Sequence, residues 1–269
     1  MKNFNTFICY LKEEERSENT ISAYIYGLRV YFNKYNKLTK SNLIKWKDWM
    51  KVKYKPRTVN HRIVLMNQYL RFVGLEKLQL KRIKTQSLPY IENVICLDDY
   101  NKLLNCLKFD KNIKGYYMVR LLAETGVRVS ELLKLKIEHL ETGIAEIHTK
   151  ASKVRMVYIR KKLADDLKQY LNNQERFTGF IILNRLGEQM TSRGVSQKLQ
   201  NYAIKYGIDK KVMHPHSFRH FFAIQFLERE QNLSLLADLM GHSNISTTAI
   251  YTRLSQSEQI KKLNEVVNW

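Results

Sequence analysis

Proline and glycine are scarce, 3 and 10 in 269 residues, so few sharp chain breaks are available and those present punctuate the fold. The three cysteines, Cys9, Cys96 and Cys106, form no C-x-x-C pair, which argues against a disulfide framework or a thiolate zinc site and fits a reducing cytoplasm. No stretch approaches about 18 uninterrupted apolar residues, and charge breaks MKNFNTFICYLKEEER before any small-residue cleavage site, so neither membrane spanning nor secretion is expected. Acidic residues are few: 25 Asp and Glu face 46 Lys and Arg, a net +21. Such an excess repels itself unless a polyanion is the usual partner, which makes nucleic acid the first candidate.

Apolar mass is plentiful. The chain is 44% apolar, with 16 Tyr, 11 Phe and 3 Trp, enough for one large core or two modest ones. Residues 1–90 carry 19 Lys and Arg against 6 Asp and Glu, a net +13, and residues 91–269 carry 27 against 19, a net +8. The first part reads as helical throughout. Ser17 offers an N-cap before a stripe of Ile21, Tyr24, Ile25, Leu28, Tyr31, Phe32 and Tyr35. A second helix follows Pro56, with Val59, Ile63, Met66, Leu70 and Val73 three or four apart and Arg57, Arg62 and Arg71 on its other face. Gly74 closes it. Residues 75–94 show no steady period, and Pro89 disfavours helix at Leu88. The expected organisation is a small basic helical domain over 1–75, a linker over 76–94 and a larger domain over 95–269.

In the larger domain LDDYNKLLNCL and GYYMVRLLAETGVRVSELLKL read as helices, the second split at Thr125 and Gly126. GIAEIHTK and VRMVYIR read as strands, FIILN as a third, and the chain is helical from TSRGVSQKLQNYAIKYG onward, ending in a tail helix over 256–269. The fold class expected is mainly α with a small antiparallel β-sheet: a helical domain followed by an α+β domain.

Four segments set polar residues in unusual company: TGVRVSELLKL with Arg128, TKASKVRMVYI with Lys150, HPHSFRH with His216 and Arg219, and GHSNISTTAIYTR with His242 and Tyr251. His242 lies 23 residues after Arg219, and Tyr251 nine after His242. As an ordered set they resemble the tyrosine recombinases, the phage-integrase and Xer-type enzymes. That family has an Arg in T-G-x-R-x-S-E-L, a Lys on a β-hairpin, H-x-x-R, a His in G-H and a downstream Tyr. The resemblance covers about residues 95–255 and implies a minimal two-domain member, a helical core-binding domain plus an α+β catalytic domain. The hairpin departs from the pattern. Relatives usually read G-K-G-N-K-x-R, whereas Thr149, Lys150, Ala151, Ser152, Lys153, Val154 and Arg155 stand here without either glycine. Lys150 aligns with the catalytic Lys, and Lys153 lies close by.

The resemblance implies a site-specific DNA recombinase that cuts and rejoins strands through a covalent 3′-phosphotyrosyl intermediate, with no cofactor and no metal. Tyr251 would be the nucleophile, which needs positive charge or a base nearby because an ordinary phenol has a pKa of ~10. Arg128 and Arg219 would hold the non-bridging oxygens, since a guanidinium matches two phosphate oxygens with parallel donors. Lys150 would protonate the leaving 5′-oxygen. His216 would assist proton transfer at the Tyr251 hydroxyl, His242 would donate to the phosphate, and Glu131 would orient Arg128 or the histidines. Taken singly, each has a bland reading: a surface Arg, a packed Tyr or His, a solvated hairpin Lys. The ordered motifs override it. His214, His216 and His220 fall within seven residues, a spacing seen in some metal sites, but no carboxylate lies in that segment; His220 reads as structural, facing away from Arg219.

Arg57, Arg62 and Arg71, with Lys81, Arg82 and Lys84 of the linker, are expected to grip DNA phosphates, which position without specifying sequence. Ile260, Leu263, Val266 and Val267 form an apolar strip on a tail too short to stand alone. Exchange of that tail between protomers is expected, with docking in the same chain as the competing reading. The partners implied are double-stranded DNA and further copies of the chain, monomeric in solution and tetrameric on two DNA sites; no membrane is involved, and accessory proteins are compatible with the scheme. Two alternatives compete. A type IB topoisomerase shares the chemistry but relaxes supercoils without pairing two sites, and a non-catalytic DNA-binding regulator would need none of the six catalytic positions that are filled here.

Overall fold

Ser17 starts a helix because its hydroxyl accepts the Thr20 N–H at 3.4 Å, meeting one of the donors a helix start leaves open. The computed structural model in which this is seen describes residues 4–84, 92–148, 154–242, 244–252 and 263–267. It divides into two units, Met1–Ser87 and Leu88–Trp269.

The first unit is four helices: α1 (Asn5–Glu13), α2 (Glu18–Phe32), α3 (Lys40–Lys53) and α4 (Pro56–Phe72). The stripe read from the sequence is the buried face of α2, and Leu28 and Tyr31 are fully enclosed with Phe7, Leu11, Trp46 and Leu70. Tyr31 meets Trp46 edge-on at 5.4 Å, the arrangement favoured by ring quadrupoles, and its hydroxyl donates to the Lys37 carbonyl.

Two expectations change here. The linker does not begin at residue 76. A single 3-10 turn at Glu76–Leu78 follows Gly74, and Leu80 is buried in the helical core. The Asn67 side chain bonds both the N–H and the carbonyl of Leu80, each at 2.9 Å, and Asn60 does the same for Ile83. Lys40 and Lys47 donate to the carbonyls of Leu78, Gln79 and Lys81. The missing periodicity of this stretch therefore reflects extended chain strapped down by side-chain amides. Residues 85–91 lie outside the described residues.

Arg62 is the second correction. It is 8% exposed, with its guanidinium 4.0 Å over the Tyr54 ring, while Arg57 and Arg71 are exposed. Its spacing explains this: residue 62 lies three after Val59 and four before Met66, on the edge of the buried stripe.

The second unit orders α5 (Leu97–Phe109), α6 (Ile113–Thr125), α7 (Val129–Leu132), α8 (His139–Thr142), β1 (Ile144–His148), β2 (Val154–Tyr158), α9 (Lys161–Asn172), α10 (Ser192–Tyr206), α11 (Pro215–Leu227) and α12 (Leu233–Met240). Short 3-10 turns at Ile245–Thr247 and Ala249–Thr252 follow. β1 and β2 pair antiparallel, from Ile144 opposite Tyr158 to His148 opposite Val154. FIILN is not a third strand of this sheet. It makes only single bridges, Phe180 to Lys136 and Leu183 to Gln189, because a turn at Asn184–Glu188 ends the pairing at once. Its Ile181 and Ile182 are still buried, which is what the apolar run registered. α11 packs on α6, and Phe218, Leu121 and Leu122 are buried in the same core. The hairpin tip with Lys150 and Lys153 lies outside the described residues, as does most of the expected 256–269 tail; residues 263–266 are helical, with Leu263, Val266 and Val267 exposed.

The burial of Arg62 sets a test. Arg62→Ala loses a desolvated cation–π contact worth about 2 kcal/mol and is expected to lower the urea midpoint accordingly. Arg57→Ala, on the exposed face, should stay within about 0.5 kcal/mol of the parent.

Candidate active site

α11 starts where His214 accepts the Ser217 N–H through its ring Nδ1, with Pro215 at the first helical position. One turn on, Arg219 points into the unit and is 2% exposed. A buried guanidinium is tolerated only when its donors are met. Nη1 donates to the Gly126 carbonyl at 2.5 Å, and Nη2 donates to the Met240 carbonyl at 2.7 Å and to His242 Nε2 at 2.9 Å. Gly126 is required at its place. Its φ is +60°, and a Cβ there would stand 2.4 Å from the Phe222 ring.

Because Arg219 donates to Nε2, the His242 proton sits on Nδ1 and donates to Thr248 Oγ1 at 2.8 Å. The ring expected to donate to a phosphate is thus engaged at both nitrogens within the chain. Burial, then Arg219, Arg128 and Arg155, push the His242 pKa down to about 4, so the ring is neutral at pH 7. Burial also pulls Arg219 down to about 10, with Arg128 and Arg155 adding to it; it stays cationic.

Arg128 caps α7 and is the exposed cation of the site, its side chain 44% accessible. Glu131, 3% exposed, accepts the Arg128 N–H and Nη1, each at 2.8 Å, and is also paired with Nη1 of Arg155. Burial opposes the Glu131 charge, but the Arg128 N–H and the two guanidinium groups outweigh it and hold the carboxyl below its ordinary range. Arg155 was not anticipated. Strand alternation carries its signal: in VRMVY it shares the inward face with Val157, so a charged residue stands where the period of two calls for an apolar one.

Tyr251 is 6% exposed, and its hydroxyl lies 3.0 Å from Nδ1 of His220. This corrects two expectations. His220 does not stand idle on the far side of α11, and His216, expected at the Tyr251 hydroxyl, is exposed and packs edge-on against the His220 ring at 4.1 Å. The i, i+4 spacing of the two histidines places them on one helix face. Burial, then His216, His214, Arg219 and His242, lower the His220 pKa to about 4. Burial raises the Tyr251 phenol and outweighs the downward pull of Arg219 and Arg128. The three clustered histidines are therefore split among a helix cap, an exposed ring and the Tyr251 contact. Among the described residues no His, Cys, Asp or Glu cluster is arranged to hold a metal.

Arg128, Arg155 and His242 line an open pocket of about 900 Å³ together with Met156, Tyr158, Asp238 and Gly241. Among the described residues Arg128 and Arg155 share the Glu131 carboxylate, Arg219 bonds none, and Asp238 also lines the pocket. Three guanidinium groups against two carboxylates leave an excess of positive charge that suits a phosphodiester and the charge it gains in a transition state.

The depressed histidines give a pH dependence. His220 and His242 titrate near 4 when folded and near ~6.5 when unfolded, so the unfolded chain binds more protons in between, and stability present at pH 7 is lost as pH falls through that window. The urea midpoint of the full chain is expected to drop from pH 7 to pH 5, less steeply in His220→Phe. Equal midpoints at both pH values would contradict the assignment.

Comparison with known proteins agrees with this geometry. Residues 93–258 match the model of the phage integrase family. The chain is 29% identical to the TnP I resolvase of Bacillus thuringiensis over 96% of this chain and 97% of that one. It is 30% identical to tyrosine recombinase XerA of Pyrococcus furiosus over 97% and 92% respectively. A solved structure of the Tn1549 transposon integrase in complex with transposon right end DNA has a TM-score of 0.72 at 17% identity, covering 96% of this chain and 99% of that one. With its buried arginine, its phenol and its ordered motifs accounted for, the chain belongs to the phage integrase family and is a tyrosine recombinase.

Proposed function

We propose that Tyr251 attacks a scissile phosphodiester of double-stranded DNA and carries the 3′-phosphoryl group until a second 5′-hydroxyl displaces it. The observation carrying this reading is a buried phenol whose ionisation the Arg219 and Arg128 cations favour and whose hydroxyl lies 3.0 Å from the neutral His220 ring. In cleavage the Tyr251 oxygen bonds phosphorus, the P–O5′ bond breaks, the phenolic proton passes to the neutral His220 ring 3.0 Å away, and the 5′-oxygen takes a proton, which Lys150 supplies. Arg128, open to solvent, engages the non-bridging oxygens, with Arg219 beneath it as a fixed source of field. Glu131 holds Arg128 in place. The exchange conserves phosphodiester energy, so it needs neither ATP nor a redox cofactor.

The exposed Arg57, Arg71, Lys81, Arg82 and Lys84 of the basic first unit contact backbone phosphates. Arg62 supports that surface from beneath through Tyr54. The enzyme works in the cytoplasm as a tetramer on two sites, exchanging apolar tails between protomers. The exposed Leu263, Val266 and Val267 support this assignment, since a strip of that kind gains little in water.

Two measurements check the proposal. Incubation with random nicked duplexes should yield a denaturation-resistant protein–DNA adduct that is absent in Tyr251→Phe and persists in EDTA; an adduct in the phenylalanine variant would remove Tyr251 from its role. Deletion of residues 257–269 should abolish pairing of two sites while sparing adduct formation on one, and normal recombination after the deletion would rule out the exchange.

A further inference from the structure

Arg155 stands where an apolar residue would serve the fold better. It is 7% exposed, its Nη1 pairs with Glu131, its Nη2 donates to the Leu239 carbonyl at 2.9 Å, and its Nε is buried without a partner among the described residues. Replacing a buried ion pair by well-packed apolar groups is often neutral or stabilising, and an orphaned N–H adds a further cost. Stability alone does not account for the residue.

Its surroundings do. The Leu239 carbonyl is at the end of α12, and Gly241 comes so close that a Cβ there would lie 2.5 Å from Arg155 Cδ and Nε. One further residue on is His242, the acceptor of Arg219. On the other side, Glu131 divides its oxygens: Oε1 takes Arg128 Nη1, while Oε2 takes the Arg128 N–H and Arg155. Without Arg155, the buried Glu131 charge would have Arg128 as its sole close counter-ion, and the Arg128 guanidinium, which now gives it Nη1 while the side chain stays 44% accessible, would be drawn further onto it.

We propose that Arg155 is a positioning residue for strand cleavage, which by neutralising Glu131 and bonding the Leu239 carbonyl keeps the Arg128 guanidinium free for the phosphate and the Gly241–His242 turn in place. This rests on the reading that Arg128 engages the scissile phosphate. The action is exerted through Arg128, so the defect of an Arg155 variant depends on the charge of the phosphate.

The test uses the full chain and a nicked duplex selected by the wild-type protein from a random pool, made with either an ordinary phosphodiester or an uncharged methylphosphonate at the scissile position. Arg155→Met is expected to slow adduct formation about 10²-fold on the phosphodiester, the scale of losing a partner that orients a functional group. On the methylphosphonate, which asks less of an arginine, the loss should shrink at least about tenfold, in parallel with Arg128→Ala, with DNA affinity unchanged. Arg155→Lys keeps a cation for Glu131 without the second N–H edge and guards against a folding failure of the methionine variant; it should lose about tenfold with the same substrate dependence. A readout without turnover accompanies these. In the free protein the guanidinium ¹⁵N signals of Arg128, assigned by their loss in Arg128→Lys, should show altered rotation in both variants while those of Arg219 do not. Equal losses on both substrates, wild-type rates, or unaltered Arg128 signals would each overturn the proposal. Absence of any adduct with the wild-type protein would refute the recombinase reading, and the ¹⁵N spectra would still decide whether Arg155 controls Arg128.

Discussion

A guanidinium with 2% exposure is the constraint around which the second unit is arranged. Taking such a cation from water costs several kcal/mol, and only satisfied donors offset it. The acceptors of Arg219 come from separate pieces of chain: the carbonyl of Gly126 after α6, the carbonyl of Met240 at the end of α12, and the ring of His242. Each of these pieces then has little freedom. Gly126 must take a left-handed φ against Phe222, and His242 must carry its proton on Nδ1 and find Thr248. Motifs far apart in sequence are thereby tied to one point in space.

Among the described residues none of the acceptors of Arg219 is a carboxylate, so its hydrogen bonds are met while its charge is not. Glu131 is held by Arg128 and Arg155 and does not offset all three cations. The surplus positive charge acts on every titratable neighbour in the direction that chemistry requires. Burial first, with Arg219 adding to it, keeps His242 and His220 neutral near pH 7, and Arg219 and Arg128 work against the burial that raises the Tyr251 phenol. A site in this condition is completed electrostatically by an anion, and a phosphodiester brings one charge before reaction and more as a fifth oxygen approaches phosphorus.

Legibility in the sequence followed the kind of force involved. Apolar periodicity placed α2 and α4, and the Thr125–Gly126 break marked the end of α6, because packing and turn geometry write themselves into local spacing. Ion pairs and hydrogen bonds that join distant segments did not show. Arg62 was placed on the basic face by its charge, although its spacing put it at the edge of the core. Residues 76–84 looked like a tether because their restraints are the side chains of Asn60, Asn67, Lys40 and Lys47 on the helices they cross. His216 and His220 share one helix face, and which ring meets Tyr251 is decided by how the turn at Ala249–Thr252 packs on α11, which has no local signature. The family resemblance identified Arg128, Arg219, His242 and Tyr251 as a set, and Arg155 was within reach of strand alternation alone.

The resting geometry also bears on the timing of proton transfer. Burial outweighs the two arginines at Tyr251, so the phenol is not ionised in advance. An incoming phosphate cannot change this by charge alone, since a nearby anion raises the phenol and the imidazole together. In the cleavage step proposed for Tyr251, the proton therefore leaves as the new P–O bond forms, when electron density drawn toward phosphorus makes the aryl oxygen more acidic. A nucleophile governed in this way is inert toward solvent and toward a poorly seated ester, and it reacts only where the arginines already hold the phosphate in line.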